Sequence, residues 1–425
     1  MALVVLIIDR IVERRRRRTQ PFETKVLLFE PPVEAPAPEI VKVRDLESFH
    51  RDDPAWPRKL SRRTHFAVTE PSQSGVKGTR EILPLSEGAA RVWAEHVDDL
   101  FLGALWSEKI VDGGEDAMPL MMYSGKEQRV LGTVLDGLGG SGAAKIHWES
   151  ERVVSNAWES ARLVRATLET VAASDPSLTT FTSAIPHGLE AVIKKTLSKR
   201  ADEIVGSKAA LSSSLTRILP TTVAGFVLDT SASPQLTTFW AGDSRAYILD
   251  ADVGLQVLTV DDAEDMDAFE ALVVDPPLTN VLCADRPFTL NYRKDGVPRQ
   301  SLVIAASDGC FNYWPTPPNF EFEILSAICG ASSWESAVRQ LTRSIGGVTN
   351  DDTSLVIVAI GFSTFIELQQ RFARRHAEIK QLAFDPLAQL RKDSGTREDF
   401  ETYRSEAWRI YKKGYEGRLG GSVEG

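Results

Sequence analysis

Cysteine, histidine and long apolar runs are scarce in this chain, and each shortage removes a class of protein. The three cysteines, Cys283, Cys310 and Cys329, show neither paired spacing nor a CxxC step, which argues against a disulfide framework and a zinc knuckle. A reducing cytosol is the expected compartment. His147 and His187 fall on stretches read as helical, with no second histidine at ligand spacing, so packing or surface roles are expected rather than zinc binding. The apolar opening from Ala2 to Ile8 stops at Asp9, far short of the ~18–20 residues needed to span a bilayer. Its basic residues follow it, and no small-residue cleavage site comes next, so it does not read as a secretory signal. No internal repeat is visible.

An excess of acid is also missing from the ends and concentrated in the middle. The net charge is −10, from 49 basic and 59 acidic residues. The first 63 positions hold 14 basic and 10 acidic residues and the last 63 hold 12 and 10, leaving 23 and 39 for positions 64–362. That body, at −16, would repel nucleic acid. The run Arg14 to Arg18 has two readings, a contact with RNA or anionic lipid and a solvated tail, and the tail is the simpler expectation.

What is present suggests one large core with extensions. Residues 1–63 read as a flexible N-terminal extension, with a lone strand at TKVLLFE and a Pro/Ala-rich linker at PPVEAPAPE. From Glu81 to about Val111 the spacing of Val92, Val97, Leu100, Phe101 and Leu105 predicts a helix. DAMPLMMY and RVLGTVLD read as a hairpin. Ala143 to about Val171 reads as one or two helices, with another from His187 to Lys199. TTVAGFVLD, QLTTFWAGD and RAYILDA read as a meander, with turns at Ser231–Pro234 and Gly242–Ser244. A long polar passage from Asp261 to Pro298 precedes the strand SLVIAASD, a helix around Trp334–Ile345 and a last strand, SLVIVAIG. Residues 363–425 read as an added helical hairpin, from the spacing of Phe365, Leu368, Phe372, Ile379 and Leu382. This order suits an α+β fold, two antiparallel sheets packed together with helices outside, better than alternating βαβ units.

Acids punctuate the strands. GGEDA places Glu115 and Asp116 together; VLDGLGG places Asp136 twenty residues after Asp116, at the end of an apolar run. AGDSRAY brings Asp243, AASDG brings Asp308, and TNDDTS brings Asp351 just before the last strand. Each alone has a cheap structural explanation, since Asp-Gly and Asp-Ser are common turn pairs. As a set, carboxylates at strand mouths suit hard divalent cations such as Mg²⁺ or Mn²⁺.

The set and its order resemble the metal-dependent protein phosphatases of the 2C type, or PPM family, whose pattern runs NEDA, DGxGG, GDSR, SDG and DN. The likeness spans about residues 105–362, within an expected phosphatase domain of 64–362, and includes the Thr221–Thr222 pair and the LTNVL segment at 278–282. It implies a four-layer αββα sandwich with a C-terminal helical extension. It also implies two Mn²⁺ or Mg²⁺ ions and a third, weaker one. Asp136 would bridge the two, the Gly137 carbonyl would bind one, and Asp308 and Asp351 would hold the other. Glu115 and Asp116 would orient metal-bound waters, and Asp243 would share the third ion with Asp308. Arg245 is expected to be a structural partner of its loop. The implied reaction is serine/threonine protein dephosphorylation, with hydroxide between two cations attacking phosphorus and no protein nucleophile. The implied partner is a phosphoserine or phosphothreonine protein, the target of a protein kinase or a kinase itself.

Four positions depart from that pattern. Leu138 stands where many eukaryotic relatives have a histidine that protonates the leaving group. Gly114 replaces the asparagine of NEDA, and Asp352 replaces the asparagine of DN. Val111 occupies the place of an arginine that grips substrate phosphate, a role left to Lys109 or Arg80.

Two other classes stay open. A phosphatase fold that has lost catalysis would serve as a scaffold or regulatory binding protein. Gly137, Gly139 and Gly142 also match the GxGxxG pattern of dinucleotide-binding proteins, although no strand ending in an acid follows at the expected distance. Ala143 and Ala144 stand where a Walker loop needs lysine and a hydroxyl residue, so an ATPase is not expected.

Overall fold

The computed structural model describes residues 66–70, 78–111, 113–148, 152–175, 177–182, 187–205, 216–263 and 277–419. The expected N-terminal extension, its strand and its linker lie outside the described residues. In chain order the first strands are β1 (Phe66–Glu70), β2 (Gly78–Glu81), β3 (Leu85–Glu87), β4 (Ala90–Val97), β5 (Leu100–Ser107), β6 (Leu120–Ser124), β7 (Arg129–Val134), β8 (Lys145–Trp148) and β9 (Arg152–Ser155). Helices α1 (Asn156–Ser174), α2 (Thr179–Thr182) and α3 (His187–Val205) follow, then β10 (Val223–Asp229), β11 (Gln235–Ala241), β12 (Arg245–Asp250), β13 (Gly254–Val257), β14 (Asn291–Gly296) and β15 (Ser301–Ala306). The rest comprises α4 (Asp308–Phe311), α5 (Pro317–Gly330), α6 (Trp334–Val348), β16 (Thr353–Ile360), α7 (Phe365–Ile379), α8 (Asp385–Lys392) and α9 (Arg397–Tyr415).

Two seven-stranded sheets form, in the orders β14-β11-β10-β7-β6-β1-β2 and β13-β12-β15-β16-β5-β4-β3. Neighbours are antiparallel, except that β1 runs parallel to β6. Three apolar layers make the sandwich. Trp93, Leu102, Val134, Phe226, Trp240, Val303 and Val356 fill the space between the sheets. Val164, Leu168, Ile193 and Leu197 of α1 and α3 cover the outer face of the first sheet at Leu131, Val227 and Phe239. On the second sheet, Phe320, Ile324, Val338 and Leu341 of α5 and α6 pack over Phe101, Ile304 and Ile357. This is the expected αββα arrangement.

The stretch expected to be helical from Glu81 is instead three strands. In β5 Phe101 and Leu105 face the outer helices, while Leu100, Leu102, Ala104 and Trp106 face the other sheet. Both faces are buried, so period-two alternation disappears from the hydrophobicity and apolar residues fall by chance at helical spacing. Gly88 and Asp98, at φ +60° and +55°, make the two tight turns.

The helix expected from Ala143 starts only at Asn156, where Ser155 caps it by accepting the N–H of Trp158. Before it β8 and β9 form a hairpin, pairing His147 with Val153, so His147 sits on a strand. The supposed meander also divides. β10 and β11 are a hairpin of the first sheet, but β12 belongs to the second sheet and pairs with β13 and β15. Gly242, at φ +100°, carries the chain from one sheet to the other. The polar passage from Asp261 contains edge strand β14, paired with β11, and positions 264–276 lie outside the described residues. Helix α5, absent from the sequence reading, begins with Pro317 and Pro318 at its first turn.

The C-terminal helices formed as expected, with a π-turn over Lys380–Phe384 between α7 and α8. Phe372, Ile379, Trp408, Tyr411 and Tyr415 join the same apolar cluster as Tyr247, Leu255 and Phe320. The helices therefore continue the outer layer of the second sheet.

Candidate metal centre

Strand register brings the acidic corners to one end of the sandwich. Val134, two residues before Asp136, pairs with Ala224 beside the end of β11. Ala306, before Asp308, pairs with Arg245 and lies opposite Leu355, near the start of β16. Thr353, just after Asp351 and Asp352, pairs with Ser107 at the end of β5. The loop from β5 to β6 carries Glu115 and Asp116 across this same end.

The Asp136 corner is tied down by the threonine pair. The Asp136 carbonyl accepts the Thr222 N–H at 2.8 Å and the Thr221 hydroxyl at 2.7 Å. Thr221 also exchanges backbone bonds with Leu282 of the LTNVL segment. A Cβ on Gly137 would lie 2.6 Å from the Ala157 carbonyl and 2.8 Å from that of Glu115. Both obstacles are backbone, so only glycine fits where these two loops meet.

Asp116 is 2% exposed, and its Oδ2 accepts the Ser307 hydroxyl at 2.7 Å. The Ser307 hydroxyl in turn accepts the Ser354 N–H at 2.9 Å, which joins the corners on β15 and β16 to the acidic loop. Glu115 accepts a hydrogen bond from the Ser155 hydroxyl. Beneath the loop, buried Arg162 stacks on Trp158 at 4.1 Å and donates to the carbonyls of Gly114 at 3.1 Å and Glu115 at 3.3 Å. Neighbouring Arg165 donates to the Met118 carbonyl at 2.7 Å.

Asp352 closes the loop from the other side. Its two carboxylate oxygens accept the backbone N–H of Lys109 at 2.7 Å and of Glu115 at 2.5 Å. A carboxylate thus offers one oxygen to each amide, where asparagine has a single amide oxygen. Asp351 lies on the exposed rim and accepts the Tyr313 hydroxyl at 3.3 Å. A Cβ on Gly309 would meet the Asp352 carbonyl at 1.9 Å, so the AASDG turn packs directly on this pair.

Electrostatically the end is overcrowded with acid. Burial, followed by the charges of neighbouring aspartates, pushes Asp116, Asp136 and Asp243 well above the usual carboxylate range. Asp116 and Asp308 are the neighbours whose charges raise Asp136 most. Burial also raises Glu115. Burial, followed by the charge of Asp352, raises Asp351, while the Asp352 N–H and the Lys109 ammonium pull the other way. The Asp243 Oδ1 is buried without a hydrogen-bond partner.

Among the described residues, no three acid, cysteine or histidine side chains already converge at ligand spacing. The donor chemistry nevertheless fits hard divalent cations: the side chains are all oxygen donors, they repel one another, and one buried oxygen lacks a partner. Because burial and mutual repulsion raise these carboxyls, a cation that binds them would displace protons.

The remaining candidates separate. Lys109 is exposed next to Asp351. Arg80 lies on β2, level with Val68, Tyr123 and Val130, at the opposite end of β7 from Asp136. Its side chain is outside the described part. Arg245 pairs with Asp261 at 2.6 Å. Sequence reasoning assigned no role to Arg162, and treated Asp352 only as a substitution; nothing local in either segment advertises its backbone partners. The dinucleotide reading loses its main support, because the β8–β9 hairpin follows the glycine corner where that motif needs a helix. A Cβ on Gly139 would also fall 1.8 Å from the Glu115 carboxylate, a poor neighbour for pyrophosphate.

Comparison with known proteins gives likenesses of the same kind as the motifs. No family model matches the chain. A Mycoplasma pneumoniae protein assigned provisionally to the protein phosphatases is 25% identical over 149 residues, which cover 31% of this chain and 54% of that protein. The match therefore spans about half the length of that relative. Among solved structures, the serine/threonine phosphatase of Staphylococcus aureus superposes with a TM-score of 0.45 at 15% identity, over 67% of this chain and 99% of that one. The PPM phosphatase MsPP of Mycobacterium smegmatis gives 0.41 and 16%, over 62% and 100%. PstP of Mycobacterium tuberculosis gives 0.42 and 19%, over 61% and 98%.

Proposed function

We propose that this protein is a metal-dependent serine/threonine protein phosphatase acting in the cytosol. The observation that carries the proposal is the gathering of Asp116, Asp136, Asp243 and Asp308 at a single end of the sandwich, close enough that their charges raise one another. Asp136, Asp308, Asp351 and the Gly137 carbonyl would hold two Mn²⁺ or Mg²⁺ ions, with Asp116 and Glu115 orienting their waters and Asp243 and Asp308 sharing a weaker third. Such cations supply hydroxide from water near neutral pH and offset the negative charge of a phosphoryl group.

The chain's own residues supply placement. Asp352 and Arg162 hold the Glu115–Asp116 loop from opposite sides, Ser307 orients Asp116, and the threonine pair fixes the Asp136 backbone. Lys109, on the exposed rim, would attract a phosphate dianion. The substrate is a phosphoserine or phosphothreonine protein, a kinase or its target.

One observation favours the scaffold reading. Val111, where a phosphate-gripping arginine is expected, is apolar and 71% exposed. Release of p-nitrophenol from its phosphate ester, measured with Mn²⁺, with EDTA and in Asp136→Asn and Asp308→Asn, separates the two. Activity that needs Mn²⁺ and disappears in both variants supports a phosphatase. A parent protein with no metal-dependent turnover of this ester or of a phosphothreonine peptide supports the scaffold.

A further inference from the structure

We infer that Tyr415, on the last helix, is a positioning residue for Asp243, acting through Arg245. The C-terminal helices would then be a working part of the acid centre. The consequence for metal binding rests on the function proposed above; the coupling itself rests on geometry.

Arg245 lies two residues beyond Asp243 and is 3% exposed. Its Nε and Nη2 donate to the two oxygens of Asp261 at 2.9 and 2.6 Å, and its Nη1 donates to the Tyr415 hydroxyl at 3.4 Å. Its face covers the ring of Phe311 at 4.5 Å, within the short helix that begins at Asp308. A buried guanidinium needs partners for its fork of donors, so its position follows theirs. The Asp261–Asp262 segment closes on the same corner: Gly242 N–H donates to Asp262 Oδ2 at 2.9 Å, and Asp262 N–H donates to the Gly242 carbonyl at 3.0 Å.

Tyr415 is in turn fixed by α9. It is 1% exposed and packs on Tyr247 at 6.2 Å and Trp408 at 5.5 Å. One turn earlier Tyr411 donates to Glu321, which also accepts Arg375 of α7 at 2.6 Å and the Leu255 N–H at 2.8 Å. The second sheet, α5, α7 and α9 therefore meet around Glu321, and Tyr415 passes that docking on to Arg245. Asp243 is sensitive to it because it lies two residues from Arg245, whose charge it feels, and its buried Oδ1 has no hydrogen bond of its own.

The test compares the full-length parent with Tyr415→Phe and Tyr411→Phe, the second removing a hydroxyl that touches Glu321 but not Arg245. Mn²⁺ affinity is measured by calorimetry, stability by urea midpoint, and local opening by amide exchange over residues 242–246. Expected for Tyr415→Phe is a loss of about 3–10-fold in the weakest Mn²⁺ step and faster exchange at 242–246, with a smaller change of both kinds in Tyr411→Phe, which loosens the docking one step further from Arg245. A Tyr415→Phe protein whose stability falls while its Mn²⁺ affinity and local exchange match the parent overturns the inference. If the parent binds no Mn²⁺ and releases no phosphate, the proposed function fails, and the exchange result alone decides whether Tyr415 positions this corner.

Discussion

Asp352 accepts the backbone N–H of Glu115 at 2.5 Å across the junction of the last strand and the acidic loop. With the matching bond from Lys109, it fixes both ends of a loop that otherwise has little regular structure. Removing the acceptor leaves two amides to find other partners in a part-buried setting. Asp352→Ala should therefore cost roughly 2–4 kcal/mol, and Asp352→Asn, which keeps one acceptor oxygen, about 1 kcal/mol. Urea midpoints check the ranking; equal losses in the two variants would show that one oxygen does all the anchoring.

Gly309 is the tightest backbone contact near the acids. A methyl group there would overlap the Asp352 carbonyl, and a carbonyl cannot rotate aside as a side chain can. Gly309→Ala should destabilise the protein by about 3 kcal/mol or more, in the range reserved for overpacking and strain. Thermal unfolding checks this, and a loss below about 0.5 kcal/mol would mean the two turns separate easily.

The end of the chain carries a pH dependence with a definite sign. His376 of α7 stacks on Phe322 at 5.5 Å and shares a 3.0 Å hydrogen bond with Ser326, and burial, assisted by Lys380, lowers its pKa. The unfolded chain therefore binds this proton more readily. Its contribution is complete above the unfolded value of about 6.5 and is lost as pH falls from there through the folded value. The parent should lose more stability than His376→Gln between pH 7.5 and pH 5.5, as urea midpoints will show. Identical slopes would exclude His376 as the source.

Legibility in the sequence followed the physics of burial. The corners at Asp136 and Asp308 were readable because apolar strands run straight into an acid. The C-terminal helices were readable because one face carries most of the apolar residues, with Leu368, Phe372 and Ile379 buried. β5 was not, because it is buried on both faces and carries no alternating signal. Nor was the crossing at Gly242, since local turn chemistry does not say which sheet the next strand joins. Arg162, Asp352 and Tyr415 act on groups 47, 237 and 170 residues away, so their partners appear only after folding.

The central claim is that the acids at this end of the sandwich form a cage for divalent cations, and counting the ions tests it most directly. Equilibrium dialysis against Mn²⁺ at neutral pH, followed by elemental analysis, should find about two tightly held ions per chain in the parent and a clear loss in Asp136→Asn. A parent that retains less than one ion per chain, or an Asp136→Asn variant that retains as many as the parent, would contradict it.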